Sequence, residues 1–419
     1  MTYSRRQVLA TGAALATLPF ARSARAQDRG RVVVVGGGFG GATAARWLAR
    51  MGHAVTLVDR DATYLTCPFS NTVLGGVNDL AAITHDRAAL EADGVTLLQG
   101  EAVAVDPDAR RVTLAGEDSL PYDRLILSPG VDFRQGALPG YDTAASQIMP
   151  HAWKAGTQTA LLRAQLEAME DGGLVVIAPP ANPYRCPPGP YERASLIAHY
   201  LKSAKPASRI LILDAKEKFS KQPLWEEAWD ALYPGMIEWR PPSLGGRVTE
   251  IRASEGTVVT DFERLQPAVA NIIPPQKAGD IAEVAGVADA TGWCPVNGRS
   301  FESDLVPGIH VIGDACMPGA MPKSAFSANA QAKVTAAAID ALFRGEAPQS
   351  PKLINTCYSL AAPDYGFTVA GVYGEADGKL FDIEEAGGLS PLAAPMETRR
   401  KEADYARDWY ARITTESFG

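Results

Sequence analysis

Residues 31–59, RVVVVGGGFGGATAARWLARMGHAVTLVD, constrain this chain more than any other stretch. The β-branched run at 32–35 reads as a buried parallel strand. Gly36, Gly38 and Gly41 then fall in the G-x-G-x-x-G spacing. Helical composition follows over 42–51, and a second strand over 53–58 ends in Asp59. The glycines let the backbone come within contact distance of a pyrophosphate, and the helix N-terminus offers that anion unpaired N–H groups and partial positive charge. Asp59 is placed to accept hydrogen bonds from a ribose hydroxyl pair. A glycine motif alone can be only a turn. With a strand before it, a helix after it and an acid closing the next strand, it is a dinucleotide site. The motif does not separate FAD from NAD.

The chain has 419 residues and ordinary globular composition, enough for two or three domains with a substantial core. A net charge of −8 argues against a nucleic-acid partner and gives no membrane-surface signal. The first 26 residues are read as a leader. Ser4-Arg5-Arg6-Gln7-Val8-Leu9 is a twin-arginine pattern, an apolar run extends to Phe20, and Ala24-Arg25-Ala26 fits a cleavage site ahead of Gln27. The run is too short to span a bilayer. Export already folded to the periplasm is the expectation, and that compartment permits disulfides.

Five cysteines are present: Cys67, Cys186, Cys294, Cys316 and Cys357. An odd number leaves one thiol unpaired, or bonded to something other than sulfur. No C-x-x-C-H occurs, so the chain attaches no c-type haem itself. None of the five histidines stands at metal-ligand spacing, and no metal site is expected.

Downstream, Cys67 lies in a loop expected to run beside whatever the glycine turn holds. The pattern predicts a helix over 79–93, and strands at 95–99, 102–105 and 111–114 in one small sheet. A strand over 122–128 then returns to the cofactor. A helix over 153–169 and a strand at 173–177 open a second Rossmann-like unit, but its glycine loop is missing. In its place stand Pro179, Pro180, Pro183, Pro187, Pro188 and Pro190, which fix φ and remove N–H donors. A working NAD(P) site is therefore not expected, although the strand 209–213 still ends in Asp214. A hairpin over 247–251 and 257–260 closes that unit. The chain returns through 287–290 and a strand over 308–312 that leads into Gly313-Asp314, a second FAD signature. An amphipathic helix over 324–343 follows, with its N-terminus facing the cofactor, where its dipole favours negative charge on a reduced isoalloxazine. Glycine turn and Gly-Asp strand together specify FAD. The predicted architecture is α/β, with two Rossmann-like dinucleotide-binding domains and a smaller C-terminal interface region. The FAD domain takes 27–150 and 285–349, the second unit 151–284, and the C-terminal region 350–419 with a charged helix over 395–413.

These residues carry a resemblance. Tyr64-Leu65-Thr66-Cys67-Pro68-Phe69-Ser70-Asn71, Cys186 with Glu192, Trp293-Cys294-Pro295-Val296, the run from Pro322-Lys323-Ser324 to Gln331-Ala332-Lys333, and Cys357 accompany the paired FAD motifs. Jointly they resemble the flavoprotein subunit of flavocytochrome c sulfide dehydrogenase, within the two-dinucleotide-domain flavoproteins of the glutathione reductase-like, disulfide reductase type. The resemblance covers essentially the whole mature chain. It implies that Cys67 bonds covalently to the flavin, that Cys186 and Cys357 form a redox-active disulfide, and that Glu192 is a candidate acid/base. It also implies a c-type cytochrome partner and no use of nicotinamide. The cofactor-binding set is Gly36, Gly38, Gly41, Asp59, Cys67, Gly313, Asp314 and Lys323. Two features depart from the broader pattern. Asp59 stands where many FAD proteins carry Glu, and Cys294 and Cys316 have no assigned role, whether paired structurally or as buried thiols.

The implied reaction begins with hydrosulfide attacking the Cys186–Cys357 disulfide, with flavin bridging two-electron and one-electron chemistry. Three alternatives remain. A sulfide:quinone oxidoreductase would need an apolar membrane-docking C-terminus, for which Arg399, Arg400, Lys401, Glu402, Asp404, Arg407 and Asp408 are poorly suited. A NADH-linked disulfide reductase is disfavoured by the missing glycine loop. A flavin-bearing subunit that docks or protects a sulfur-carrier protein belongs to a different class, and sulfide-dependent cytochrome reduction separates it from the enzyme.

Overall fold

The computed structural model describes residues 30–419, so the twin-arginine leader and the start at Gln27 lie outside the described residues. The first domain opens with strand β1 (Arg31–Val35), helix α1 (Phe39–Arg50), β2 (Ala54–Asp59), β3 (Val95–Gln99) and β4 (Arg124–Leu127). All pairings among these strands are parallel, with Val34 opposite Leu57 and Ile126. Val32–Val34 and Leu125–Leu127 are buried, as a sheet covered on both faces requires.

The central unit follows: helix α2 (Thr157–Ala168), strand β5 (Leu174–Ala178), helix α3 (Gly189–Ala204), strand β6 (Arg209–Leu213), helix α4 (Gln222–Leu232), and strands β7 (Ile237–Arg240) and β8 (Val269–Ile272). Its sheet runs β7-β6-β5-β8, again wholly parallel. The chain then re-enters the first domain with strand β9 (Ile309–Val311), which pairs β4 and completes the order β9-β4-β1-β2-β3. Helix α5 (Ala325–Phe343) leads to an antiparallel meander of β10 (Leu353–Ala362), β11 (Tyr365–Ala376) and β12 (Lys379–Asp382), closed by helix α6 (Met396–Phe418). The α/β class and the two Rossmann-like units are as the sequence predicts.

Four expectations are corrected. Residues 79–93 do not form one helix. They break into a turn (Ala81–Ile83), a strand (Thr84–His85) and a short helix (Ala88–Ala92). Thr84–His85 pairs with Tyr64–Leu65, and the Arg87 side chain turns inward to the glycine loop, which a continuous helix would prevent. Residues 95–99 join the main sheet, whereas Ala102–Asp106, Arg111–Leu114 and Ser119–Pro121 make a separate antiparallel sheet. Residues 287–290 form no strand, because Asp289 and Gly292 close a turn by backbone hydrogen bonds. Helix α5 is not amphipathic. Its Ala328, Ala332, Ala336 and Ile339 are buried, as are Asn329, Gln331 and Thr335, because it is enclosed by α1 and the C-terminal meander.

The C-terminal helix extends five residues past the predicted 413. That last turn packs on α1: Ser417 Oγ lies 3.0 Å from Thr43 Oγ1, and the Phe418 and Phe39 rings are 5.2 Å apart. Strand β10 meanwhile packs on α3 of the central unit. The C-terminal region therefore joins both domains. Among the described residues no helix is long and apolar enough to cross a membrane.

Candidate active site

The glycine turn is built so that nothing larger fits. Gly36 has φ +96°, and a Cβ there would lie 2.3 Å from the Ser128 carbonyl oxygen. A Cβ on Gly41 would lie 1.8 Å from the Gly36 oxygen. Gly38 caps α1, whose first turn carries no side-chain cap, so its N–H groups face the turn. Asp59 reaches back across the loop. Its Oδ2 accepts from Gly37 N–H (2.6 Å) and from Arg87 Nη2 (3.1 Å), and its Oδ1 accepts from Asp61 N–H (2.9 Å). Arg87, buried, also donates to the Gly37 carbonyl at 2.8 Å. Sequence reasoning missed Arg87 because its segment carried a helical pattern.

Gly313-Asp314 follows β9 as a single helical turn, and burial raises the pKa of Asp314 despite Arg185 and Lys323 nearby. Asp314 Oδ1 is buried with no hydrogen-bond partner. A cradle that any Cβ would fill and a buried acceptor waiting for a donor fit FAD, with its pyrophosphate at the turn and a hydroxyl at Asp314. Lys323 acts on this turn through the protein. Its buried ammonium donates to the carbonyls of Asp314 and Cys316, both at 2.8 Å, and stands 3.8 Å from the centre of the Trp293 ring. Its side chain braces the Gly-Asp turn. Ser324 caps α5 by accepting from Ser327 N–H.

Beside this cradle lies a cavity of about 100 Å³ whose walls include Cys67, Cys186, Glu192 and Cys357, drawn from three distant segments. All five cysteines are free thiols in this structure. Cys67 Sγ donates to the Trp153 carbonyl at 3.5 Å, and Arg185 Nη2 donates to the same oxygen. Cys186 has φ +57°, and its backbone N–H donates to the Lys323 carbonyl at 3.0 Å. A Cβ on Gly189, the first residue of α3, would lie 3.1 Å from Cys186 Sγ and 2.8 Å from the Trp153 ring. Glycine at that position keeps the sulfur against the helix N-terminus. Burial pushes the Cys186 thiol well up, as do the nearby Cys357 and Glu192, and the Arg185 and Lys221 cations oppose that rise.

Glu192 is not a surface acid. Its Oε1 accepts from Leu360 N–H on β10 (3.0 Å), and its Oε2 accepts from Asn71 Nδ2 (2.8 Å). Asn71 is in turn oriented by Arg193, whose Nε donates to Asn71 Oδ1 at 3.0 Å. Arg193 is buried, and its other donors go to the His151 and Ala152 carbonyls and Asn271 Oδ1. Cys294 and Cys316 stand apart from this cavity. They sit opposite each other on adjacent short strands, and burial pushes both thiols up to about 12.

In the central unit the acid that closes β6 is engaged within the protein. Asp214, fully buried, accepts from Tyr191 Oη (2.5 Å) and Trp239 Nε1 (2.9 Å) on Oδ2, and from Lys216 Nζ (2.6 Å) on Oδ1. The Tyr191 and Phe219 rings stack at 3.8 Å beside it.

Residues 159–274 match the family model of the central part of the sulfide dehydrogenase [flavocytochrome c] flavoprotein chain. Residues 349–418 match the flavin-binding model of flavocytochrome c sulphide dehydrogenase, and residues 30–170 match pyridine nucleotide-disulphide oxidoreductase. A sulfide dehydrogenase [flavocytochrome c] flavoprotein chain of Chlorobaculum thiosulfatiphilum is 56% identical over 45 residues, 10% of this chain and 94% of that sequence. The chain belongs to the family of flavocytochrome c sulfide dehydrogenase flavoprotein chains. Two of the three matched models are thus a flavin-binding one and a pyridine nucleotide-disulphide oxidoreductase one. Ferroptosis suppressor protein 1 of Taeniopygia guttata is 36% identical over 124 residues, which is 26% of this chain, and the chain spans only 28% of that relative's length. The solved sulfide:quinone oxidoreductase of Aquifex aeolicus superposes with a TM-score of 0.68 at 17% identity over 92% of each chain, a likeness of fold.

Proposed function

We propose that this chain is a sulfide:cytochrome c oxidoreductase subunit, oxidising hydrosulfide at a Cys186–Cys357 disulfide with a c-type cytochrome as electron acceptor. The observation that carries the reading is the single cavity shared by Cys67, Cys186, Cys357 and Glu192. Hydrosulfide attacks one sulfur of the disulfide. A new S–S bond forms to it, the Cys186–Cys357 bond breaks, and the other cysteine leaves as thiolate. A second hydrosulfide takes the outer sulfur of the persulfide so formed away as hydrodisulfide and leaves both cysteines reduced. FAD, when bound, would accept the electron pair released as the disulfide re-forms and pass it on in single-electron steps.

The chain's own residues do the rest. Gly36, Gly38, Gly41, Asp59 and Asp314 would hold the cofactor, and Cys67 is the residue for a covalent thioether to it. Glu192, between the two cysteine-bearing segments, exchanges protons with sulfur. The apolar lining from Phe69, Trp153, Phe326 and Trp409 keeps water from the reacting sulfur. The twin-arginine pattern at Arg5 and Arg6 supports a periplasmic setting, in which a c-type cytochrome would be the partner.

Single substitutions test the reading. Cys186→Ala and Cys357→Ala are expected to fold and to stay yellow after acid precipitation, with the flavin held by Cys67. Sulfide should reduce them at least a hundredfold more slowly than the wild type in stopped-flow mixing. Folded variants that keep the wild-type rate would sink the mechanism.

A further inference from the structure

Lys221 stands immediately before α4, in the left-handed region at φ +62°, where a lysine is uncommon. It is 7% exposed. Its ammonium donates to the Cys357 carbonyl at 2.7 Å and to Ser359 Oγ at 2.8 Å, and it lies 5.6 Å from the centre of the Phe367 ring. Among the described residues it forms no ion pair with a carboxylate, although an unpaired buried charge is costly. On the same strand, one residue past Ser359 and three past Cys357, the Leu360 N–H is held by Glu192. Strand β10 is thus gripped at the reactive cysteine by one buried cation and one buried anion.

We propose that Lys221 is a positioning residue for the cysteine pair: it fixes Cys357 through its carbonyl and supplies the buried positive charge that receives the thiolate released when the pair opens. The inference rests on the sulfide-oxidation reading of that pair. A carbonyl needs no ammonium to be satisfied, since a neutral amide donor would serve. The charge of the ammonium is then available to negative charge that develops nearby. The other ionisable groups around the pair are Arg185 and Tyr184 of the proline loop, Glu192 and Arg193 on α3, and Tyr373 on β11. Glu192 opposes a thiolate there, so the Lys221 charge offsets it, and its influence on Cys186 runs in that direction.

The test is the pH dependence of iodoacetamide alkylation at Cys186 and Cys357 in the reduced, flavin-loaded full chain, followed by peptide mass. Lys221→Gln keeps a donor for the carbonyl and removes the charge. It is expected to raise the midpoint of the more acidic thiol by about one pH unit, a roughly tenfold slower reaction below the midpoint. Ser359→Ala loosens the same strand without touching the charge and should leave the midpoint in place, as should Lys221→Arg. A folded Lys221→Gln protein with the wild-type midpoint overturns the proposal. If that variant does not fold, Lys221→Met decides by the same readout: a raised midpoint upholds the role of charge, and a wild-type midpoint overturns it. Peptide mapping of the oxidised wild type separates the two readings. Absence of a 186–357 disulfide would defeat the sulfide mechanism, whereas a disulfide present with an unmoved midpoint defeats only the role of Lys221.

Discussion

Both carboxyl oxygens of Glu192 act as acceptors, one for the Leu360 N–H and one for Asn71 Nδ2, so the site is made for the ionised form. Burial nevertheless raises its pKa, and the Leu360 and Asn71 donors, Lys221 and Arg193 only partly reverse that. With the folded value above the unfolded one, Glu192 contributes stability below its unfolded pKa and loses it as pH rises through the raised folded value. At neutral pH the carboxylate therefore costs stability while it grips β10. In Glu192→Gln the amide has one acceptor oxygen, and its NH₂ must face a donor. We expect sulfide-dependent flavin reduction to fall at least tenfold. The acid limb of its pH profile, lying above the ordinary carboxylate range, should disappear. Hydrosulfide also titrates, but identically in both proteins, so the difference between stopped-flow profiles is the readout. Unchanged profiles would remove Glu192 from proton transfer. At this scale local spacing in the sequence showed the glycines, Asp59 and Asp314, whereas Cys67, Cys186 and Cys357 were singled out by the family resemblance. Neither showed Arg87, Arg193 or Lys221. A basic residue buried by partners far along the chain leaves no periodic trace, and its usual place is the surface.

Among the elements, the segment from β5 to α3 carries most of the functional meaning. Its prolines were read as excluding a pyrophosphate, and the fold adds a second reason. Tyr191, in the first turn of α3, bonds Asp214 at the end of β6, and Lys216 and Trp239 take the acid's remaining capacity. The acid that would receive a ribose instead anchors the helix whose N-terminus holds Cys186. NADH and NADPH are accordingly expected to bleach the flavin at less than about a hundredth of the rate seen with sulfide. Rapid bleaching by micromolar NADH in anaerobic mixing would contradict this. The sequence marked the missing loop because proline acts locally. It was silent on Tyr191 and Trp239, whose meeting with Asp214 is set by the parallel register of β5, β6 and β7. The broken segment after Asp79 was misread for a similar reason. Its helical composition yields to strand pairing with Tyr64–Leu65 and to the inward pull of Arg87, and tertiary contacts outweigh propensity over so short a stretch.

Across the whole molecule, the site exists only because the C-terminal region brings Cys357 onto the central unit. Arg399 of α6 is the main polar anchor of that docking. It is fully buried, donates to Glu227 Oε1 on α4 and to the Pro391 carbonyl at 2.8 Å each, and lies 5.5 Å from the centre of the Tyr365 ring. Glu227 Oε2 also accepts from Ala393 N–H at 2.6 Å. Arg399→Ala leaves that acid without its cation and opens a cavity under the meander. The cost should be about 3 kcal/mol, the low end for breaking a buried pair, because Glu227 keeps some solvent contact. The loss falls on one region. The first domain's core is built mainly from its own strands and helices, with Leu353, Tyr373, Leu380, Ile413 and Phe418 of the C-terminal region added to it. Its glycine cradle is untouched, so flavin should remain bound. The meander, which borrows its core from the central unit through Phe367, Tyr365 and Trp225, should open first. We therefore expect hydrogen exchange to accelerate in peptides covering β10 and α6 and to stay at the wild-type rate in β1 and β2. Sulfide-dependent reduction should fall in step with the β10 opening, since Cys357 moves with that strand. If Arg399→Ala instead loses flavin and all protection in a single transition, the three parts form one cooperative unit and the C-terminal region is no separable half of the active site.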